Sequence, residues 1–103
     1  MNSESAIAAM AALAQPTRLD AFELIAGAGE AGLAAGEIAR LLSVRQNTMS
    51  AHLLILARAG IVTPERQSRS IVYKINQDAL GSLIGFLSEY SGRMPISVQA
   101  ATA

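Results

Sequence analysis

Apolar residues recur along most of this chain with a helical period, and along one stretch with the period of a strand. Ile7, Met10, Ala11 and Leu13 form a first helical stripe, with Asn2 or Ser3 as its cap and Glu4 in its first turn. Gln15-Pro16 breaks that helix, and Pro16 suits the first position of a second one reaching about Ala26. Leu19, Phe22 and Ile25 recur there at core spacing. GAGEAG, from Gly27 to Gly32, reads as a flexible connection, and Leu33-Ala34-Ala35 as a very short strand. A third helix carries Ile38, Leu41 and Leu42 up to a break at Ser43-Val44. A fourth starts at Arg45 or Gln46 and runs to about Ala59, with Gly60 as its stop. Past Gly60 the period falls to two. Ile61-Val62-Thr63 and Ser70 to Ile75 read as strands, Pro64 as a strand end, and Glu65 to Arg69 as a polar hairpin tip. A last helix starts near Asn76 or Gln77 and runs to about Ser91, ended by Gly92. Its stripe is Leu80, Leu83, Ile84 and Leu87, with Phe86 and Tyr90 at the edge.

The third and fourth helices carry the most informative pattern. Met49, Leu53 and Leu56 at i, i+4, i+7 make one buried stripe. At roughly 100° per residue the opposite face collects Asn47, Ser50, Ala51, Leu54 and Arg58. That face opens with short polar side chains suited to base edges. Two helices meeting at a tight corner, the second polar on its outer N-terminal face, predict a helix-turn-helix whose fourth helix is the recognition helix. The basic hairpin behind it is then a wing. The expected fold is mainly α with a small β-hairpin, a winged helix-turn-helix in the order α-α-(short β)-α-α-β-β-α. The last helix is apolar over more width than one face of a small domain needs. It is therefore expected to pack against a second copy together with the first helix, through Ile7, Met10, Leu80, Leu83, Ile84 and Leu87.

Composition narrows the classes. At 103 residues, residues 1–93 are expected to be one DNA-binding and dimerisation domain, with 94–103 a weakly ordered tail. No apolar run approaches the ~20 residues of a membrane span, and the Ala-rich start lacks the basic opening of a signal peptide. With no cysteine there is no disulfide or thiolate site. A cytoplasmic protein fits this set. One histidine, no cysteine and no paired carboxylates in a cleft argue against an enzyme, and no cofactor is expected. GAGEAG lacks the glycine-and-lysine pattern of a phosphate-binding loop. The formal net charge of zero hides a segregation. From Arg40 to Lys74 six basic residues (Arg40, Arg45, Arg58, Arg66, Arg69, Lys74) face one acid, Glu65, while the remainder is equally net acidic. Polyanion binding follows local basic surface, so overall neutrality does not oppose it.

From about Ala12 to Tyr90 the chain resembles the ArsR/SmtB family of bacterial winged-helix repressors. LAQPTRLDAFELI (Leu13 to Ile25) is similar to the family's L-A-x-P-T-R-L motif. Ser50-Ala51-His52-Leu53 is similar to its S-x-H-L signature, and Ala59-Gly60-Ile61-Val62 to its A-G-L/I-V exit. RQSRSIVYKI (Arg66 to Ile75) matches the wing. The resemblance implies a homodimer that sits on a palindromic double-stranded operator, blocks transcription and leaves when an inducer binds. The departures matter too. The family's C-V-C metal motif falls on Ala34-Ala35-Gly36, and the last helix offers Asp78 and Glu89 but no histidine, so no metal site is expected. Ala51 and Leu54 stand where relatives often carry Arg or Lys, and Arg45 where they often have a Ser cap. His52, the one histidine, is expected to be structural.

On this reading Gln46, Asn47 and Ser50 would contact bases, and Arg45, Thr48, Arg66, Ser68 and Arg69 phosphates or the wing's groove. Two alternatives stay open: a winged-helix module that binds protein instead, and a metal-responsive repressor using carboxylates at the dimer seam. The releasing signal would be non-thiol, an unidentified small molecule or protein.

Overall fold

Asn2 opens the first helix, its carboxamide oxygen accepting the Ser5 amide at 2.8 Å, and α1 spans Ser3–Leu13 in the computed structural model. The structure describes residues 1–92; the tail expected from Met94 lies outside the described residues. Gln15 caps α2 (Pro16–Gly27) through the Arg18 amide, with Pro16 in the first turn as expected. A short 3-10 turn at Gly29–Ala31 follows, so the glycine-rich connection is folded. Then come β1 (Leu33–Ala34), α3 (Ala35–Leu41), α4 (Gln46–Arg58), β2 (Val62–Gln67), β3 (Ser70–Ile75) and α5 (Gln77–Ser88). The last turn of the final helix tightens into a 3-10 segment, Glu89–Ser91. No helix among the described residues is long and apolar enough to cross a membrane.

The three strands form one antiparallel sheet in the order β1-β3-β2. β2 is longer than expected and contains Pro64, paired with Tyr73. An edge strand tolerates this, because proline's missing N–H can face away from the ladder. Gln67 pairs with Ser70, which reduces the hairpin tip to Ser68 and Arg69. Ser68 takes a φ of 59°, supplying the left-handed residue that glycine usually provides in a tight turn.

The core is built around Ile25, Ile38, Met49, Leu53, Leu56 and Ile61, all fully buried. α1 enters it through alanines, Ala6, Ala9 and Ala12, and keeps Ile7 and Met10 outside. Small side chains let α1 approach α2 and α4 closely, which leaves its large residues for the other face. Leu19, expected at core spacing, is exposed, as is Leu41 on α3; Ala21 and Ile25 hold the inner face of α2, and Ile38 and Ala39 that of α3. On α5 the correction runs the other way. Leu83, expected at a dimer seam, is 5% exposed and lies in its own protomer's core, with Phe86 packed beside it.

Asn76 fastens α5 to the rest. Its Oδ1 accepts the Ala79 amide at 3.2 Å, and its Nδ2 donates to the Gly60 carbonyl at 2.9 Å. Asn76→Ala removes a helix cap and strands a part-buried carbonyl, with an expected loss of about 1–2 kcal/mol in urea denaturation. Asn76→Asp keeps the cap acceptor but not the amide donor, and should recover part of that loss.

Candidate nucleic-acid interface

The C-terminal ends of α3 and α4 are fixed by the same backbone device. At the end of α3 the Ser43 amide donates to Arg40 O (3.2 Å) and the Val44 amide to Ala39 O (2.9 Å), with Ser43 at a φ of 54°. At the end of α4 the Gly60 amide donates to Ala57 O (3.0 Å) and the Ile61 amide to Leu56 O (3.3 Å), with Gly60 at a φ of 83°. Each is a Schellman ending, and in each the following apolar residue, Val44 or Ile61, packs into the core. The angle between the two helices and the exit into the wing are therefore set by local hydrogen bonds plus one hydrophobic anchor apiece.

With Met49, Leu53 and Leu56 buried, α4 turns Gln46, Asn47, Thr48, Ser50, Ala51, Leu54 and Arg58 to solvent. Arg45 is the N-cap residue and makes no side-chain cap bond. Asn47 partly compensates, its Oδ1 accepting the Thr48 amide at 2.9 Å, and its amide nitrogen has no partner among the described residues. The end of Gln46 lies over Gly36 of α3: a Cβ there would stand 2.8 Å from Gln46 Nε2. Gly36 is a positioning element that the periodicity did not single out; a glycine inside a short helical pattern was its signal.

The wing presents Arg66, Ser68 and Arg69, all exposed. Its acid is occupied. Glu65 pairs with Lys74 at 3.1 Å and accepts from Gln67 at 3.2 Å, and the Lys74 bond, first among these, holds its carboxyl below the usual carboxylate range. Glu37 is likewise held low by its two-pronged bond from Arg40, and Arg40 is raised in turn. Of the six cations in the basic segment, Arg45, Arg58, Arg66 and Arg69 have no carboxylate partner among the described residues. The local field is thus positive along α4 and the wing.

His52 is half-buried on α4, with its Nδ1 buried and unpaired. Arg18, within the sequence motif Leu13–Leu19, donates from Nε to Ala12 O at 2.6 Å and closes the C-terminal end of α1. Among the described residues no group of three or more His, Asp or Glu side chains could hold a metal ion.

A family model described as a helix-turn-helix domain matches residues 13–65, which take in α2, α3, α4 and the first part of the wing. The chain belongs to the helix-turn-helix domain family. Within that family it is similar to the HTH-type transcriptional regulator YgaV of Escherichia coli, 28% identical over 86 residues, 84% of this chain and 85% of the relative. Among solved structures it is similar to an ArsR-like transcriptional regulator from Rhodococcus (25% identical, TM-score 0.71, 86% of this chain and 81% of that one). It is also similar to a homodimeric winged helix-turn-helix DNA-binding domain from Mycobacterium bovis, a possible ArsR-family regulator (26% identical, TM-score 0.67, 84% and 80%). The winged architecture and the ArsR/SmtB resemblance drawn from the motifs are both borne out.

Proposed function

We propose that this chain is a dimeric, sequence-specific DNA-binding transcriptional regulator, a repressor acting in the cytoplasm on a palindromic operator. The observation that carries the reading is the pairing of an exposed polar N-terminal face on α4 with a wing whose arginines have no carboxylate partner among the described residues while its acid is ion-paired with Lys74. Gln46, Asn47 and Ser50 read base edges; Arg45, Thr48, Arg66, Ser68 and Arg69 hold phosphate and flanking groove. The partner copy covers α1 and α5, where Ile7 stands 62% exposed and Met10, Ile84 and Leu87 are also open to solvent, together with Tyr90 in the 3-10 segment after α5, 76% exposed. The names of YgaV and of the Mycobacterium bovis domain support the same reading. Release comes from a non-thiol small molecule or a protein.

Two substitutions separate readout from affinity. Asn47→Ala is expected to weaken operator binding by about 1–3 kcal/mol and to relax preference at one position. An equal loss on operator and random DNA would reject its role as a base reader. Arg66→Ala with Arg69→Ala should weaken both DNAs alike and, with two arginines lost from each of the dimer's two wings, flatten the slope of log K against log salt by about 4. An unchanged slope would remove the wing from the interface.

A second reading is kept by one observation: Leu54, on the outer face of α4, is 46% exposed, as is Leu41 on α3. If these rather than Asn47 form the contact, the α4 face docks a protein. Leu54→Ser would then abolish that contact and leave DNA affinity unmoved.

A further inference from the structure

Between α1 and α4 runs a groove of about 360 Å³. Its floor is apolar: Ala8, Ala11 and Ala12 from α1, Ile55 from α4 and Ala59 at the C-cap of α4. Two arginines, Arg18 and Arg58, also line it, and no acid does. Arg18 is held in place by its bonds to Ala12 O (2.6 Å) and Ala11 O (3.4 Å), which leave the rest of its guanidinium available. Arg58 has no carboxylate partner among the described residues. A concave apolar surface with a few convergent polar groups is the usual form of a small-ligand site, and this volume lies in the lower part of the usual range.

We propose that the groove binds an amphiphilic organic carboxylate, its head between Arg18 and Arg58 and its apolar body along the alanines and Ile55. Charge decides the class of ligand. Two guanidiniums with no neighbouring acid favour an anion, and guanidinium suits the planar carboxylate fork. Size sets the body: at about 360 Å³, the lower end of the range for ligand pockets, the groove suits a slim chain of about ten carbons better than a bulky polycycle. The alanines of α1 leave the groove open, since any larger residue at position 8 or 11 would occupy it.

The place of the groove gives binding a consequence. α4 carries the proposed base-reading face and α1 the proposed dimer seam, so a ligand touching both biases whichever arrangement of the two helices it fits better. This regulatory consequence rests on the DNA-binding reading; ligand binding itself does not. The two are tested apart.

The first test is calorimetry with sodium decanoate, below its micelle concentration, on the full chain, with decyltrimethylammonium as the charge control. Methyl NMR on the alanines locates the ligand. Decanoate is expected to saturate one site per chain and to shift the Ala8, Ala11, Ala12 and Ala59 methyls. Arg58→Gln, on the surface, should weaken it at least tenfold, and Ala11→Phe should abolish it while helical circular dichroism is retained. No saturable binding, equal binding of the cationic amphiphile, an unchanged affinity in Arg58→Gln, or shifts confined to α5 would each overturn the site. With binding established, operator affinity measured with and without decanoate tests the coupling, and an unchanged affinity would overturn the regulatory role alone.

Discussion

Replacing Ile84 and Leu87 together with glutamate is expected to leave a folded monomer that no longer holds operator DNA tightly. Both residues project from α5 into solvent, at 40% and 38% exposure, while Leu83 anchors the same helix inside the protomer. The changes therefore remove nothing from the core, and exposed substitutions of this kind shift stability within about 0.5 kcal/mol. At a two-fold seam each substitution appears in both protomers, so the double change brings four carboxylates into an apolar contact. Sedimentation should show a single-chain mass and circular dichroism an unchanged helix content. Operator affinity should fall about 100-fold or more, because each half-site would then be bound without the local concentration supplied by the other. A dimer that survives the double change would move the seam away from α5.

The second large effect concerns Gly32, just before β1. It sits at a φ of 69° and ψ of −170°, a combination open only to glycine. An added Cβ would stand 2.7 Å from the Tyr73 carbonyl oxygen and 2.8 Å from Val72 Cγ1. The first of these is backbone of the central strand and cannot move aside without disturbing the β1–β3 ladder, where Leu33 pairs with Tyr73. Gly32→Ala thus combines backbone strain with overpacking, each about 1–3 kcal/mol. For a domain of this size the sum should lower the melting temperature by roughly 10 °C or more. Gly27→Ala is the control. It ends α2 with nothing within 4 Å of its Cβ, and should be neutral or slightly stabilising. Equal melting temperatures for the two variants would contradict this account of the sheet.

The order of elements was legible because the chain is punctuated by residues with one clear local use: Pro16 in a first turn, Gly60 at a left-handed helix end, Asn76 at a cap. Other features depend on tertiary geometry that periodicity does not carry. Alanine counts little in a hydrophobic pattern, so Ile7 and Met10, assigned to the dimer seam, stood out on α1, while the alanines that form its inner face, Ala6, Ala9 and Ala12, did not. The width of the apolar stripe on α5 was readable. Its division was not, since whether Leu83 or Ile84 points inward depends on how α5 lies on the core. Pro64 could be placed inside a strand only once β2 was known to be an edge.

The outer face of α4 followed from its period alone, and all five residues assigned to it are exposed. The electrostatic refinement did not follow so simply. Glu37 and Arg40 stand at helical i, i+3 spacing and could be foreseen as a pair. Glu65 and Lys74 meet diagonally across strands, which requires the register of Glu65 opposite Val72.

The central claim is tested most directly by fluorescence anisotropy with the DNA immediately upstream of the protein's own gene, titrated against salt, with random DNA of the same length beside it. The account predicts tight binding to the upstream DNA alone, weakening steeply as salt rises. Weak binding of equal strength to both, at every salt concentration, would contradict it.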